Sequence, residues 1–250
     1  MSLTLNMVGG GSGGLVLSKP LLHVIAQLGS TVEISFGGIV VKTIPPSKAF
    51  PNEDGINADY YYSASATGTY TITAIQGALS KSVTETVTTV KQYDVKVPLL
   101  VLYYEGDEKT PLTGGWSFNK NNVGGSTLTK NDDSLLLYTW SGGNAANGCT
   151  YPTNPINTSG FSTVKCFYDL VVELDTNPDF GSLALRTTAP TNGGYEGSWP
   201  YQANCATGTN KTVSCNISTA TAPLYVVLRT WATGGWGKNI RLTIRRVWLE

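Results

Sequence analysis

Charge, histidine and long apolar runs are all scarce in this 250-residue chain, and each scarcity removes a class of function. Charged residues make up 14%, against about 25% in ordinary proteins, and 17 basic residues cancel 17 acidic ones. That leaves no basic face of the kind nucleic acid demands. The one local basic cluster, Arg241, Arg245 and Arg246, lies on an alternating strand and reads as a solvated sheet face or a subunit contact. The single histidine, His23, sits in another alternating strand as a structural or surface residue. No Gly-x-Ser-x-Gly elbow, phosphate loop or His-Glu-x-x-His accompanies it. No apolar stretch approaches the roughly 18 residues of a membrane-spanning helix, so membrane insertion is not expected. No 3.6-residue apolar period persists over three turns, so helix should be scarce. The four cysteines, Cys149, Cys166, Cys205 and Cys215, lack zinc-knuckle spacing. Cys205 and Cys215 flank a turn-rich loop that a hairpin disulfide could close, whereas buried thiols are the reading that goes with cytosolic folding.

What is present points to β-structure. Hydrophobic residues reach 41%, enough for a core, and Gly, Thr, Ser, Asn and Tyr are abundant. The length suits two domains of roughly 100–150 residues, giving an all-β chain in three parts. Residues 1–18 carry no charge before Lys19 and are cut by Gly9, Gly10, Gly11, Gly13 and Gly14. A signal peptide needs a basic start and an unbroken apolar segment, and glycine is poor in a helix interior. The stretch therefore reads as a glycine-rich docking arm, with a short strand over 3–8 whose Leu3, Leu5, Met7 and Val8 pair with another protein.

Residues 19–97 read as an Ig-like β-sandwich. Its strands are expected at 21–26, 31–35, 39–44, 58–64, 68–74 and 81–90, with 93–97 carrying the chain onward. Residues 98–250 read as a larger jelly-roll sandwich, lectin-like or like a carbohydrate-binding module. Strands are expected at 98–104, 116–118, 127–130, 134–140, 164–174, 180–187, 211–216, 224–230 and 239–248. Long loops are expected at 141–163, 175–179 and 188–209.

The opening Ser-Leu-Thr-Leu-Asn-Met-Val-Gly-Gly-Gly-Ser-Gly-Gly-Leu resembles the start of virion-associated proteins of tailed phages infecting gut bacteria. Gly68-Thr-Tyr-Thr-Ile-Thr-Ala74 looks like their Ig-like repeats. Tyr104-Glu-Gly-Asp-Glu, Gly114-Gly-Trp116 and the stretch from Asn239-Ile240 to Arg246-Val-Trp-Leu-Glu250 are similar to their jelly-roll modules. The resemblance implies a tail, baseplate or head-decoration protein. It would be made in the host cytoplasm without a signal peptide and held on the virion by other virion proteins through the arm.

Catalysis is hard to assemble from these residues, and the chain reads as a non-enzyme. Glycoside hydrolysis needs only two carboxylates, and Glu105, Asp107, Glu108, Asp132, Asp133, Glu173, Asp175, Asp179 and Glu196 are the candidates. Most lie beside Gly, Asn or Pro, where acids are ordinary turn formers. No cofactor is required. A calcium ion would use Asp107 and Glu108, or Asp132 and Asp133, against the alternative of solvated turns.

The tryptophans are more telling. All six follow residue 115. Trp116, Trp140 and Trp248 fall on expected strands and are assigned to the core. Tyr195, Trp199, Tyr201, Trp231 and Trp236 fall in or beside loops, several flanked by glycines that leave a ring face open. A flat apolar face beside Asn, Thr and backbone groups suits a sugar ring. The leading expectation is a homo-oligomeric virion surface protein that binds host-surface or mucin glycans. The alternatives are a structural subunit with its aromatics buried between copies, and a glycan depolymerase.

Overall fold

The computed structural model describes residues 17–121, 125–142, 146–173, 180–194, 199–232 and 236–250, with backbone alone at 141, 142 and 236–238. The expected docking residues Leu3, Leu5, Met7 and Val8 lie outside this set. The protein is all-β. Its contacts divide it into two compact units, Met1–Val97 and Pro98–Glu250.

In the first unit the strands are β1 (Leu21–Gln27), β2 (Thr31–Phe36), β3 (Ile39–Ile44), β4 (Phe50–Pro51), β5 (Asn57–Ser63), β6 (Gly68–Gln76), β7 (Leu79–Val87) and β8 (Gln92–Lys96). They form two four-stranded sheets, ordered β4-β5-β1-β8 and β3-β2-β6-β7. Period-two alternation sends one set of side chains inward. Leu22, Val24, Val32, Ile34, Ala58, Tyr60, Tyr70, Ile72 and Ala74 make a single buried cluster. The order reproduces the D-E-B and C′-C-F-G sheets of an Ig-type sandwich. Tyr70, near the start of β6, supplies the matching corner by donating its hydroxyl to the Ala66 carbonyl at 2.9 Å.

Two expectations for this unit need correction. Residues 93–97 do not simply lead outward. Residues 93–96 belong to β8, which runs parallel to β1 from Leu21↔Gln92 to Ile25↔Lys96, and takes the edge that strand A holds in an Ig domain. The preceding strand stops at Val87 because the amides of Thr88 and Thr89 turn to the Tyr93 hydroxyl, at 2.8 and 2.9 Å. Ile39, Val40 and Val41 stand exposed on β3, an edge strand, and not in the core.

The second unit holds β9 (Leu100–Tyr104), a one-turn helix (Thr110–Thr113), β10 (Trp116–Lys120), β11 (Gly125–Lys130), β12 (Leu135–Gly142), β13 (Ala146–Pro152), β14 (Thr163–Glu173), β15 (Gly181–Arg186), β16 (Tyr201–Asn204), β17 (Gly208–Asn216), β18 (Tyr225–Ala232) and β19 (Trp236–Leu249). Two antiparallel sheets result, ordered β10-β13-β18-β15-β16 and β11-β12-β19-β14-β17, with β9 pairing the far end of β19. Leu137, Val164, Leu170, Leu183, Val226, Leu228, Ile240 and Leu242 are fully buried. A chain of hydroxyls also crosses this interior. Ser126 meets Thr139 at 2.8 Å, and Thr139 meets Thr230 of the other sheet at 2.7 Å. Each buried hydroxyl is thereby satisfied, and Thr139 and Thr230 are fixed as inward-facing.

Here the expected loops at 141–163 and 188–209 are overturned, because they contain β13 and β16. The segment Ala146-Asn-Gly-Cys-Thr-Tyr-Pro152 has no alternation to betray it, yet is buried along nearly its whole length. The sandwich interior covers one side. The turn Asn192–Gly194 covers the other, where a Cβ on Gly194 would lie 3.3 Å from that of Cys149. All four cysteines are buried and none is in a disulfide.

Candidate functional site

Trp199 and Trp231 are brought together by an arginine that the sequence reading passed over. On β18, Thr230 points inward, so the pleat turns its neighbours Arg229 and Trp231 outward. The Arg229 guanidinium is held at three corners. Nε donates to Ser182 Oγ at 2.7 Å, Nη1 to the Gly194 carbonyl at 2.8 Å, and Nη2 to Gln202 Oε1 at 2.9 Å. Those partners come from β15, the 192–194 turn and β16, so one side chain ties two strands and a loop together. The cation lies 4.7 Å from the Trp199 ring centre and 5.2 Å from that of Trp231. Arg186 approaches Trp199 at 5.2 Å. A cation over an indole face contributes about 0.5–1 kcal/mol when exposed and about 2 when desolvated.

Beside this stack opens a cleft of about 130 Å³ lined by Asn147, Gly193, Gly194, Arg229, Thr230 and Trp231. Its floor needs the glycines. A Cβ on Gly193, whose φ is +68°, would sit 2.6 Å from the Asn147 carbonyl oxygen. The Gly193 amide donates to Asn119 Oδ1 at 2.8 Å, which pins the turn onto the sheet. The cleft therefore offers an indole, a side-chain amide and bare backbone in one place. Trp199 contributes differently, since its indole N–H is buried and finds no acceptor among the described residues.

Tyr201 does not join this group. Gln202 points outward to Arg229, so its strand neighbour Tyr201 faces the opposite way and its hydroxyl lies 3.5 Å from Thr219. Tyr195 lies outside the described residues, as does the side chain of Trp236. Trp116 and Trp248 are 5% and 8% exposed, as core residues should be. Trp140 departs from the core assignment. Because Thr139 points inward, Trp140 and Tyr138 stand on the outer face of the six-stranded sheet.

The acidic candidates are mostly committed to cations. Asp107 pairs with Lys109 at 2.6 Å, and Glu108 with Lys130 at 2.6 Å while also accepting from the Trp116 amide at 3.0 Å. Asp133 and Asp169 share Arg245, Glu173 pairs with Arg241, and Glu105 with Arg246. The three arginines of the basic cluster are thus each matched by an acid. Asp132 has no such ion pair among the described residues, and Asp175, Asp179 and Glu196 lie outside them. Among the described residues no three His, Cys, Asp or Glu groups gather to hold a metal ion, and Asp107, Glu108, Asp132 and Asp133 form no common cage.

His23, in the first unit, is the centre of a separate polar group. Nδ1 lies 2.8 Å from Asp94, Nε2 lies 3.1 Å from Asp59, and the ring stacks on Tyr61 at 4.9 Å. Partial burial works against the charged imidazole, but donation of its ring N–H groups toward the Asp94 and Asp59 carboxylates outweighs it, so its pKa is raised above 6.5.

No protein-family model matches the chain, and neither does any curated protein. Among solved structures it is similar to a crystal structure of "domains CD (residues 230-489)", with 11% identity and a TM-score of 0.33 over 89% of this chain and 94% of that one. It is also similar to SGBP-B from a complex xyloglucan utilization locus in Bacteroides uniformis. That match has 9% identity and a TM-score of 0.29, covering 94% of this chain and 70% of that one. Likenesses of this size leave the functional argument to the chain's own residues.

Proposed function

We propose that the chain is a non-catalytic glycan-binding protein whose second unit carries the binding surface. The observation that carries this reading is the Arg229-centred stack beside its cleft. A sugar ring presents an apolar face edged by hydroxyls, and it is matched by an aromatic face with planar hydrogen-bonding groups around it. Trp231 supplies the face, while the Asn147 side-chain amide supplies a donor and an acceptor and the backbone carbonyls of Gly193 and Gly194 supply acceptors. Because Arg229 is already fixed by three hydrogen bonds, the indoles are held in position before any ligand arrives, which lowers the ordering cost of binding. Engagement of the second unit's described carboxylates by cations, Asp132 aside, supports binding over hydrolysis.

The finer reading places the chain on the surface of a tailed-phage virion. There it would be a homo-oligomer docked through Leu3, Leu5, Met7 and Val8, presenting the second unit to host-surface or mucin glycans. That placement draws on the resemblance of the N-terminal segment, and image reconstruction of intact particles tests it. The glycan reading is tested by array binding of the full chain. Binding should fall roughly tenfold or more in Trp231→Ala with the melting temperature kept. Absence of binding to every host-surface and mucin glycan overturns it.

A further inference from the structure

We propose that the outer face of the six-stranded sheet is a second carbohydrate surface, laying a neutral sugar ring of a polysaccharide chain against Trp140 and Tyr138. It shares its ligand class with the reading above and none of its residues, since the Arg229 stack lies on the outer face of the other sheet.

The aromatic part is built by a glycine. Gly125 is paired directly with Trp140 across the β11–β12 ladder. A Cβ there would come within 1.7 Å of indole Cε2 and 2.0 Å of Cζ2. Bare backbone is what lets the indole lean over the neighbouring strand. Tyr138, two residues back on the same face, stacks on it at 5.3 Å with 24° between the planes. Neither ring is in the core, so the pair forms an aromatic strip along β12.

The polar part is a wired row beside the strip. The Tyr138 hydroxyl donates to Asn239 Oδ1 at 3.0 Å, which fixes the amide so that its nitrogen donates to Glu173 Oε2 at 3.0 Å. The other Glu173 oxygen meets Arg241 at 3.2 Å, and the Arg241 cation lies 5.5 Å from the Tyr138 ring centre. Trp140, Asn239 and Glu173 stand in register on three adjacent strands, a span of roughly 10 Å at about 4.8 Å per strand.

Two properties of this row select its ligand. The charges of Glu173 and Arg241 cancel locally, so the face has no pull on an anionic polymer. Their side chains are still 39% and 50% exposed, leaving carboxylate lone pairs and guanidinium N–H groups open to solvent. Planar two-pronged donors and acceptors of that kind match neighbouring hydroxyls, and the stacked rings match an apolar ring face. A neutral, hydroxyl-rich polymer meets both conditions.

The test is affinity electrophoresis of the full chain through gels containing mixed-linkage β-glucan, galactomannan or α-mannan, with hyaluronan as the anionic control. The expected result is retardation by at least one neutral polymer and none by hyaluronan. Trp140→Ala should weaken that retardation roughly tenfold or more, and Glu173→Gln should weaken it measurably. Should Trp140→Ala fail to fold, Glu173→Gln decides. Binding unchanged in the folded variants overturns the proposal. So does loss of binding in Trp231→Ala alone, which leaves the function reading standing. No retardation of the wild type by any neutral polymer overturns it too. If light scattering finds that Trp140→Ala splits a dimer, the face belongs to a second copy and the proposal falls.

Discussion

Replacing Gly125 by alanine tests whether the Trp140 indole truly rests on bare backbone. The added Cβ would lie 1.7 Å from the ring, whereas carbon atoms rest at about 3.5–4.0 Å, so the indole must retreat by roughly 2 Å. Overpacking of this kind costs about 1–3 kcal/mol. The backbone itself raises no objection, because Gly125 is not among the residues with positive φ. In a Trp140→Ala background the clash is gone. There the same Gly→Ala change should be neutral or stabilising by about 0.4–1 kcal/mol through lost freedom of the unfolded chain. The two substitutions should therefore couple by about 1–3 kcal/mol in a double-mutant cycle. Urea denaturation followed by tryptophan fluorescence is the assay, and it reports on the second unit alone because every tryptophan lies there. Equal costs of Gly125→Ala in both backgrounds would refute the geometry, and with it the aromatic strip.

The all-β character was legible wherever alternation survived. Gly68-Thr-Tyr-Thr-Ile-Thr-Ala74 and Val164 to Leu170 show period two, and their inward residues are the buried ones. β13 was not legible, since Asn147, Gly148 and Thr150 are polar or featureless. Gly148 fits its buried place only because it lacks a side chain, with Ser126 Oγ 1.9 Å from where a Cβ would stand. No local rule reveals a partner separated by a hairpin. The site was half legible for a similar reason. Alternation says that Tyr138 and Trp140 share a face, but not which face. The outcome was decided by Thr139, a residue of ordinary surface type, whose hydroxyl finds Ser126 and Thr230 inside. Arg229 went unread as well, although Arg-Thr-Trp on a strand places a cation and an indole on one face. Its remaining partners, Ser182, Gly194 and Gln202, are distant in sequence.

Three further outcomes are expected. The His23 resonance, the only histidine signal in the chain, should titrate above 6.5. Its contribution to the first unit's stability should be full below about pH 6.5 and lost as pH rises through the folded value. A titration at or below 6.5 by NMR would contradict the Asp59 and Asp94 clamp. Burial raises Cys205 to about 12 and Cys215 to about 11, and pushes Cys166 well above its ordinary range. These three should therefore resist a thiol reagent at pH 8 and react in denaturant, and rapid native labelling would contradict their burial. Finally, Arg229→Lys should destabilise the second unit by about 2–4 kcal/mol. Hydrogen bonds to a charged group contribute about 1.5–3 kcal/mol, and an ammonium cannot reproduce a planar fork that reaches Ser182, Gly194 and Gln202 together. Because charge is conserved, a loss of that size isolates geometry from electrostatics. If Arg229→Lys melts with the wild type, the guanidinium does not organise Trp199 and Trp231, and the binding cleft loses the element argued to hold it open.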